Sequence, residues 1–192
     1  MLKADEIPYD MPLATQVRDL LNKESDSGDI EPCSVITYRV PFNACVQIFN
    51  YVQKSSRIVF GPSLVMLNPD ETFTVNILSG GKPKMPGMIT SLYLTMGPEF
   101  TSDIIEVETS DHCKMQIKVS YNWYFKVDKS DKSSGEKMFA IRDFIGDMCT
   151  VCAAKIRSAC AGVTFENFHS TSARLIRIAI FGTNEEDKIN DE

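Results

Sequence analysis

Two histidines, one tryptophan and no long apolar run leave this sequence without the materials that several functions need. No stretch approaches the ~20 apolar residues of a membrane-spanning helix, and the N-terminus carries no signal-peptide core. Six cysteines without a leader point to a reducing compartment and free thiols, the cytosol first. No Gly-x-Ser-x-Gly, His-Glu-x-x-His or Walker spacing occurs, so the serine-hydrolase, zinc-protease and nucleotide-loop patterns are all missing. Lys82 and Lys84 do sit in a glycine-rich stretch, "SGGKPKMPG" (79–87), but without the spacing and Lys-Ser/Thr ending of a phosphate loop.

Charge is present but unevenly placed. The net charge of −6 belongs to the ends: residues 1–32 carry eight acids and three bases, and residues 183–192 five acids and one base. The remaining body is net +3, and its lysines alternate with acids. That is too weak a basic surface to imply nucleic acid, and the acidic ends read as solvated segments.

At 192 residues the chain has room for one medium domain or two small ones. Residues 1–32 read as an acidic linker holding one short helix, opened at Met11-Pro12, with Leu13, Val17, Leu20 and Leu21 at helical spacing. Residues 24–29 read as loop. Residues 33–87 read as a small antiparallel β module, with candidate strands at 35–40, 45–51, 57–60, 64–67 and 72–78 broken by turn residues. The glycine-rich 79–87 reads as a hinge. Residues 88–182 then run strand, strand, strand and helices: 91–96, 103–109 and 114–127, a loop at 129–137, a helix at 141–161, a short turn "FENF" and a last helix ended by Gly182. Ser170 or Ser172 can cap that last helix. The expected class is α+β, a β module followed by an antiparallel sheet with helices on one face; residues 183–192 form an acidic tail.

Asp111, His112 and Cys113 are the most site-like triplet, and the alternation after them explains them without chemistry. Met115, Ile117, Val119, Tyr121, Trp123, Phe125 and Val127 take every second position, with polar residues between. At ~3.3 Å per residue such a strand is long enough to predict a bend or bulge. Residues 103–109 form its partner. Apolar meets apolar only if paired residue numbers sum to an even total, as with Val107 and Met115 or Glu108 and Lys114. That leaves a loop of about three residues centred near Asp111.

The other candidates have plain readings. Cys149-x-x-Cys152 lies inside a helix with no second ligand pair beyond Cys160 and the distant His169, so small cysteines packing a core explain it. A nucleophilic pair of His169 with Cys113, Cys149 or Cys160 lacks anything to activate the thiolate. Glu106 and Glu108 share a wet strand face. No catalytic, cofactor-binding or metal-binding residue is assigned: the sequence offers surfaces.

Five runs in order are more specific than any motif: "TYRVPFNACVQIFNY", "RIVFGPSLVMLNPDETFTV", "ETSDHCKMQIKVSYNWYF", "DFIGD" and "VTFENFHSTSARLIRIAIFG". Together they resemble the major vault protein family across residues 37–182. The resemblance implies that 37–86 is the last β repeat of a vault wall. It implies that 88–182 is a shoulder domain, similar to the stomatin/prohibitin (band-7) fold. It also implies a non-enzymatic structural subunit of a hollow cytoplasmic ribonucleoprotein shell with a minor nuclear fraction, built from many copies. Vault RNA, vault poly(ADP-ribose) polymerase and telomerase-associated protein are the partners implied. Earlier wall repeats and a cap helix are missing from the sequence, which therefore reads as a fragment or a short relative. "GGKPKMPGMIT" carries fewer basic residues than the family pattern. The competing class is a band-7 membrane scaffold, which needs an adjacent hairpin, acylation site or basic amphipathic helix; the acidic N-terminal segment argues against membrane contact.

Overall fold

The computed structural model describes residues 15–24, 35–128 and 132–183. The expected helix start at Met11-Pro12, the loop at 24–29 and the acidic tail beyond Thr183 lie outside or at the edge of those residues. The elements in chain order are α1 (Thr15–Glu24), β1 (Thr37–Val40), β2 (Ala44–Asn50), β3 (Ser55–Phe60), β4 (Ser63–Met66), β5 (Glu71–Phe73), β6 (Asn76–Gly80) and β7 (Met85–Ser91). They continue with β8 (Tyr93–Thr95), β9 (Glu99–Glu108), β10 (Lys114–Trp123), α2 (Lys132–Phe139), α3 (Phe144–Ala161) and α4 (Phe165–Phe181). This is the α+β class the sequence predicts. Two units divide the chain: one takes residues up to Ile77 with Ile89–Glu99 and Trp123–Arg142, the other Leu78–Met88, Phe100–Asn122 and the residues from Asp143 onward.

In the first unit β2 is the central strand. It pairs antiparallel with β3 on one side, from Cys45 opposite Phe60 to Asn50 opposite Ser55. On its other side it pairs with β5 and β8, Ile48 facing Phe73 and Val46 facing Tyr93. β1 and β4 form a separate pair. Alternation sends Ala44, Val46 and Ile48 inward, where they meet Tyr38, Val40, Val65, Leu67, Phe73 and the Val17 and Leu21 side of α1. Each Val, Leu, Ile or Phe side chain among them, fully buried, contributes about 1.5–3 kcal/mol.

The opposite face of the same sheet is covered by α2, an element that its composition hides. Residues 129–137 read as a loop because serine and glycine favour no helix. The helix forms because packing outweighs propensity: Met138 is buried with its sulfur 4.0 Å from that of Cys45. Gly135 also lies so close to the sheet that a Cβ there would stand 3.1 Å from Ile58 and 3.3 Å from Phe60.

The second unit sets α3 and α4 on one face of the β9–β10 hairpin. Ile105, Val107, Met115, Ile117 and Val119 meet Ala153, Ile156, Cys160, Phe168 and Leu175 there. The buried positions of α3 are Ile145, Cys149, Ala153, Ile156 and Cys160, so Cys149 rather than Cys152 lies on the inward stripe. Asp143 caps this helix, which fixes its start three residues later than the pattern suggests and leaves Ile141 exposed outside it. In α4 the expected break is present: Thr171 has φ −128° and ψ 15° inside the helix. The Ser170 and Thr171 hydroxyls both donate to the Asn167 carbonyl, at 3.0 and 2.7 Å.

Two further expectations are corrected. The glycine-rich 79–87 is no plain linker, because β6 and β7 pair through it. Its ends are held by side chains distant in sequence, which composition alone does not reveal. The long strand does not run to Val127: β10 ends at Trp123, and the Phe125 amide donates to Met96 O at 2.8 Å instead of continuing the ladder.

Candidate assembly surface

The Asp111-His112-Cys113 triplet is a turn, and the register expected from alternation is the one present. Thr109 N donates to Cys113 O at 3.1 Å and His112 N to Thr109 O at 3.0 Å. Farther along, Gln116 Nε2 reaches Glu106 Oε1 at 2.9 Å, and Lys114 Nζ lies 3.9 Å from Glu108 Oε2. All of these fit the even-sum pairing. His112 has φ 60°, the left-handed residue that ends a three-residue hairpin loop.

Asp111 has a second role that the sequence does not announce. The Phe165 amide, at the first turn of α4, donates to both its carboxylate oxygens, at 3.1 and 3.2 Å. Ser110 N also donates to Val163 O at 2.9 Å. A carboxylate at a helix N-terminus satisfies orphan amides and opposes the dipole. The Thr109 hydroxyl bond first, and the Phe165 amide with it, outweigh desolvation and hold the Asp111 carboxyl below its usual range. It positions a helix; no group for it to act on converges there.

The remaining candidates stay apart. His169 is exposed, its ring 6.0 Å from that of Phe165, whereas Cys149 and Cys160 are buried in the core. Burial pushes the Cys149 thiol up to about 11 and the Cys45 thiol to about 12, and it raises Cys152 and Cys160. These are the reverse of activated thiolates. No group of three or more His, Cys, Asp or Glu is placed to hold a metal among the described residues. An open groove of about 660 Å³ beside α3 is lined by Glu106, Val107, Met115, Gln116, Arg157 and Ala161. Its polar groups are already paired, Glu106 with Gln116 and with Arg157.

What the second unit does hold is a set of polar joints. Asp143 Oδ1 accepts from Gly146 N at 3.0 Å and Ser79 N at 2.9 Å, and its Oδ2 accepts from Ser79 Oγ at 2.5 Å. Burial raises the Asp143 carboxyl, but the donors of Ser79 and Gly146 outweigh it and the net direction is downward. Buried Asp103 accepts from Lys84 N at 2.9 Å and Ile104 N at 2.8 Å. In the first unit Arg57 forks onto Glu71 with two 2.9 Å bonds, from Nε and Nη2. This pair bridges β3 and β5 across β2. An Asp followed by Gly at a helix start is a legible capping signal. The Ser79, Lys84 and Arg157 partners lie too far along the chain to leave one.

These joints give the β9–β10 sheet unequal edges. Because Thr109 and Cys113 form a hydrogen-bonded pair, even-numbered residues of both strands turn their N–H and C=O groups outward. On β9 two of those groups are met: Arg157 Nε donates to Glu106 O at 3.0 Å, and Ile104 N donates to Asp103. On β10 no further strand is paired among the described residues.

Two family models match consecutive stretches of the chain, and their boundary is one of sequence that does not coincide with the division into two units. Residues 35–96 match the Major Vault Protein Repeat domain and residues 97–192 the Shoulder domain. The chain belongs to the major vault protein family. Among curated relatives, a major vault protein of Strongylocentrotus purpuratus is 46% identical over 100% of this chain and 24% of its own length. Major vault protein alpha of Dictyostelium discoideum is 46% identical over 98% and 23%, and the human major vault protein 43% over 95% and 22%. The chain thus spans about a quarter of the length of these vault relatives. No described helix is long and apolar enough to cross a membrane.

Proposed function

We propose that this chain is a segment of a structural subunit of the vault ribonucleoprotein shell, in which many copies stand side by side. The observation that carries the reading is the order of its two matched parts, a wall-type repeat followed by a shoulder domain, over residues 35–192. The relatives named for the vault support it at 43–46% identity. The repeat contributes lateral contacts, since small β modules leave edges that side-by-side packing covers. The shoulder sets the angle between wall and cap, and the β6–β7 segment transmits it. The role is structural and not enzymatic, with the cytoplasm as the main location and a minor nuclear fraction. The partners are further copies of the chain and, through the assembled particle, vault RNA, vault poly(ADP-ribose) polymerase and telomerase-associated protein.

The test is gradient sedimentation of the natural full-length product from a cell extract, followed by flotation with membranes. A very large particle that needs no detergent is expected. Co-flotation with lipid would replace the proposal with a band-7 scaffold, and a small soluble species would end both. Replacing 79–87 by a long flexible linker should alter shell shape; an unchanged shell refutes the angle-setting role.

A further inference from the structure

The bare edge of β10 is unfinished in two respects at once. Lys114, Gln116, Lys118, Ser120 and Asn122 point backbone groups away from β9, where no described strand receives them. The side-chain layer stops short on the same side. Ile105 and Val107 of β9 are 1% and 4% exposed, while Met115, Ile117 and Val119 of β10, on the same apolar face, are only half-buried. The helices therefore cover β9 and leave β10 incompletely roofed. One added strand would complete both the ladder and the layer.

We infer that β10 is the receiving edge of a lateral contact between copies of this chain, and that β7 of the neighbouring copy is the strand it receives. This rests on the reading of the chain as one of many side-by-side subunits. Head-to-tail repetition needs two different surfaces on one molecule, and β7 supplies the second. Among the described residues it pairs only with β6, and its Met85 and Met88 are 57% and 61% exposed. The turn that leads into it is tied by the Lys84–Asp103 bond on the β9 side of the sheet, away from β10. From Met85 to Ser91 it carries no charge, so Met88 can roof Met115 and Ile117 without burying an ion, while Met85, on the alternate face, comes to the side of β10 that carries Ser120. Pro86 supplies no donor, which leaves that ladder one bond short. Pairing of two β10 edges is the poorer solution. An antiparallel register centred on Gln116 sets Lys114 of each copy opposite Lys118 of the other, and like charges opposed across a ladder are unfavourable.

The test uses the complete protein with its other accessible cysteines replaced by serine, carrying Ser120→Cys or Met85→Cys. Both sites are exposed and outside the two cores. On mild oxidation, a mixture of the two single variants should give at least tenfold more covalent dimer than either alone, and the double variant should give a ladder of multimers. Sedimentation of the unoxidised protein runs in parallel. A large particle without the mixed cross-link overturns the pairing and leaves the shell reading standing. Dimers from Ser120→Cys alone overturn it in favour of paired β10 edges. A monomer throughout overturns both the pairing and the shell reading.

Discussion

Replacing Asp143 with alanine takes one acceptor away from three donors: the Ser79 amide, the Ser79 hydroxyl and the Gly146 amide. Loss of the cap on α3 costs about 1 kcal/mol. Ser79 is buried, so leaving its donors unmet costs about 1–3 kcal/mol more. The terms share one network and do not add fully, which places the whole effect at roughly 2–4 kcal/mol. For a chain of this size that corresponds to about 5–12 °C in unfolding midpoint. Asp143→Asn keeps one oxygen and should lose about half as much. Gly146→Ala is the companion variant. Its Cβ would stand 2.4 Å from Asp143 Oδ2 and 2.7 Å from Ser79 Oγ, so a change that helix propensity favours should instead destabilise. The sign with pH is fixed by the lowered Asp143 carboxyl. Its contribution is present above the unfolded value and is lost as pH falls through the folded one, so wild type and Asp143→Ala should converge in acid. Urea unfolding followed by circular dichroism, at neutral pH and again in acid, measures all of this. An alanine variant within about 0.5 kcal/mol of wild type at neutral pH, or a gap untouched by acid, refutes the account.

Three further outcomes follow from the same geometry. Arg57→Ala strands Glu71, which is 6% exposed, and should cost about 1–3 kcal/mol, less than a fully buried pair because Arg57 itself is 45% exposed. Its guanidinium holds the Glu71 carboxyl below the usual range, so this stability is also lost as pH falls through the folded value. An NMR titration in which Glu71 fails to rise in the variant would contradict the pairing. His112→Gly relieves a left-handed backbone and should raise unfolding free energy by about 0.5 kcal/mol; a loss seen in denaturant unfolding would mean that the 3.0 Å contact of His112 Nδ1 with Glu108 Oε1 matters more than the backbone. With an alkylating reagent at mildly basic pH, native Cys45, Cys149 and Cys160 should stay unmodified, and labelling of any of them before unfolding, read by mass spectrometry, would show that the cores open.

The parts legible in the sequence are those set by short-range pattern. The even register of β9 and β10 follows from the alternation of Val107 and Glu108 against Met115 and Lys114, and the side-chain contacts at Glu106 and Glu108 agree with it. The break at Thr171 follows from a cluster of serine and threonine. What the pattern hides is whatever depends on a distant partner. α2 is helical because Cys45, Ile58 and Phe60 lie beneath it, and 79–87 is paired because its flanks meet Asp143 and Asp103. The unpaired edge of β10 is hidden for the same reason. β10 looks like any amphipathic strand until Arg157 is seen closing the other edge of its sheet.

The join between the hairpin tip and α4 also bears on the order in which the second unit forms. Closing the three-residue loop at Asp111 costs little chain entropy, and the hairpin can form within microseconds. The Asp111–Phe165 bonds close a span of 54 residues, an entropic cost of roughly 3.5 kcal/mol before any contact repays it. The hairpin is thus positioned to form early as a nucleus, with the docking of α4 as the slow step. A variant that loosens the tip should slow refolding of this unit more than it speeds unfolding.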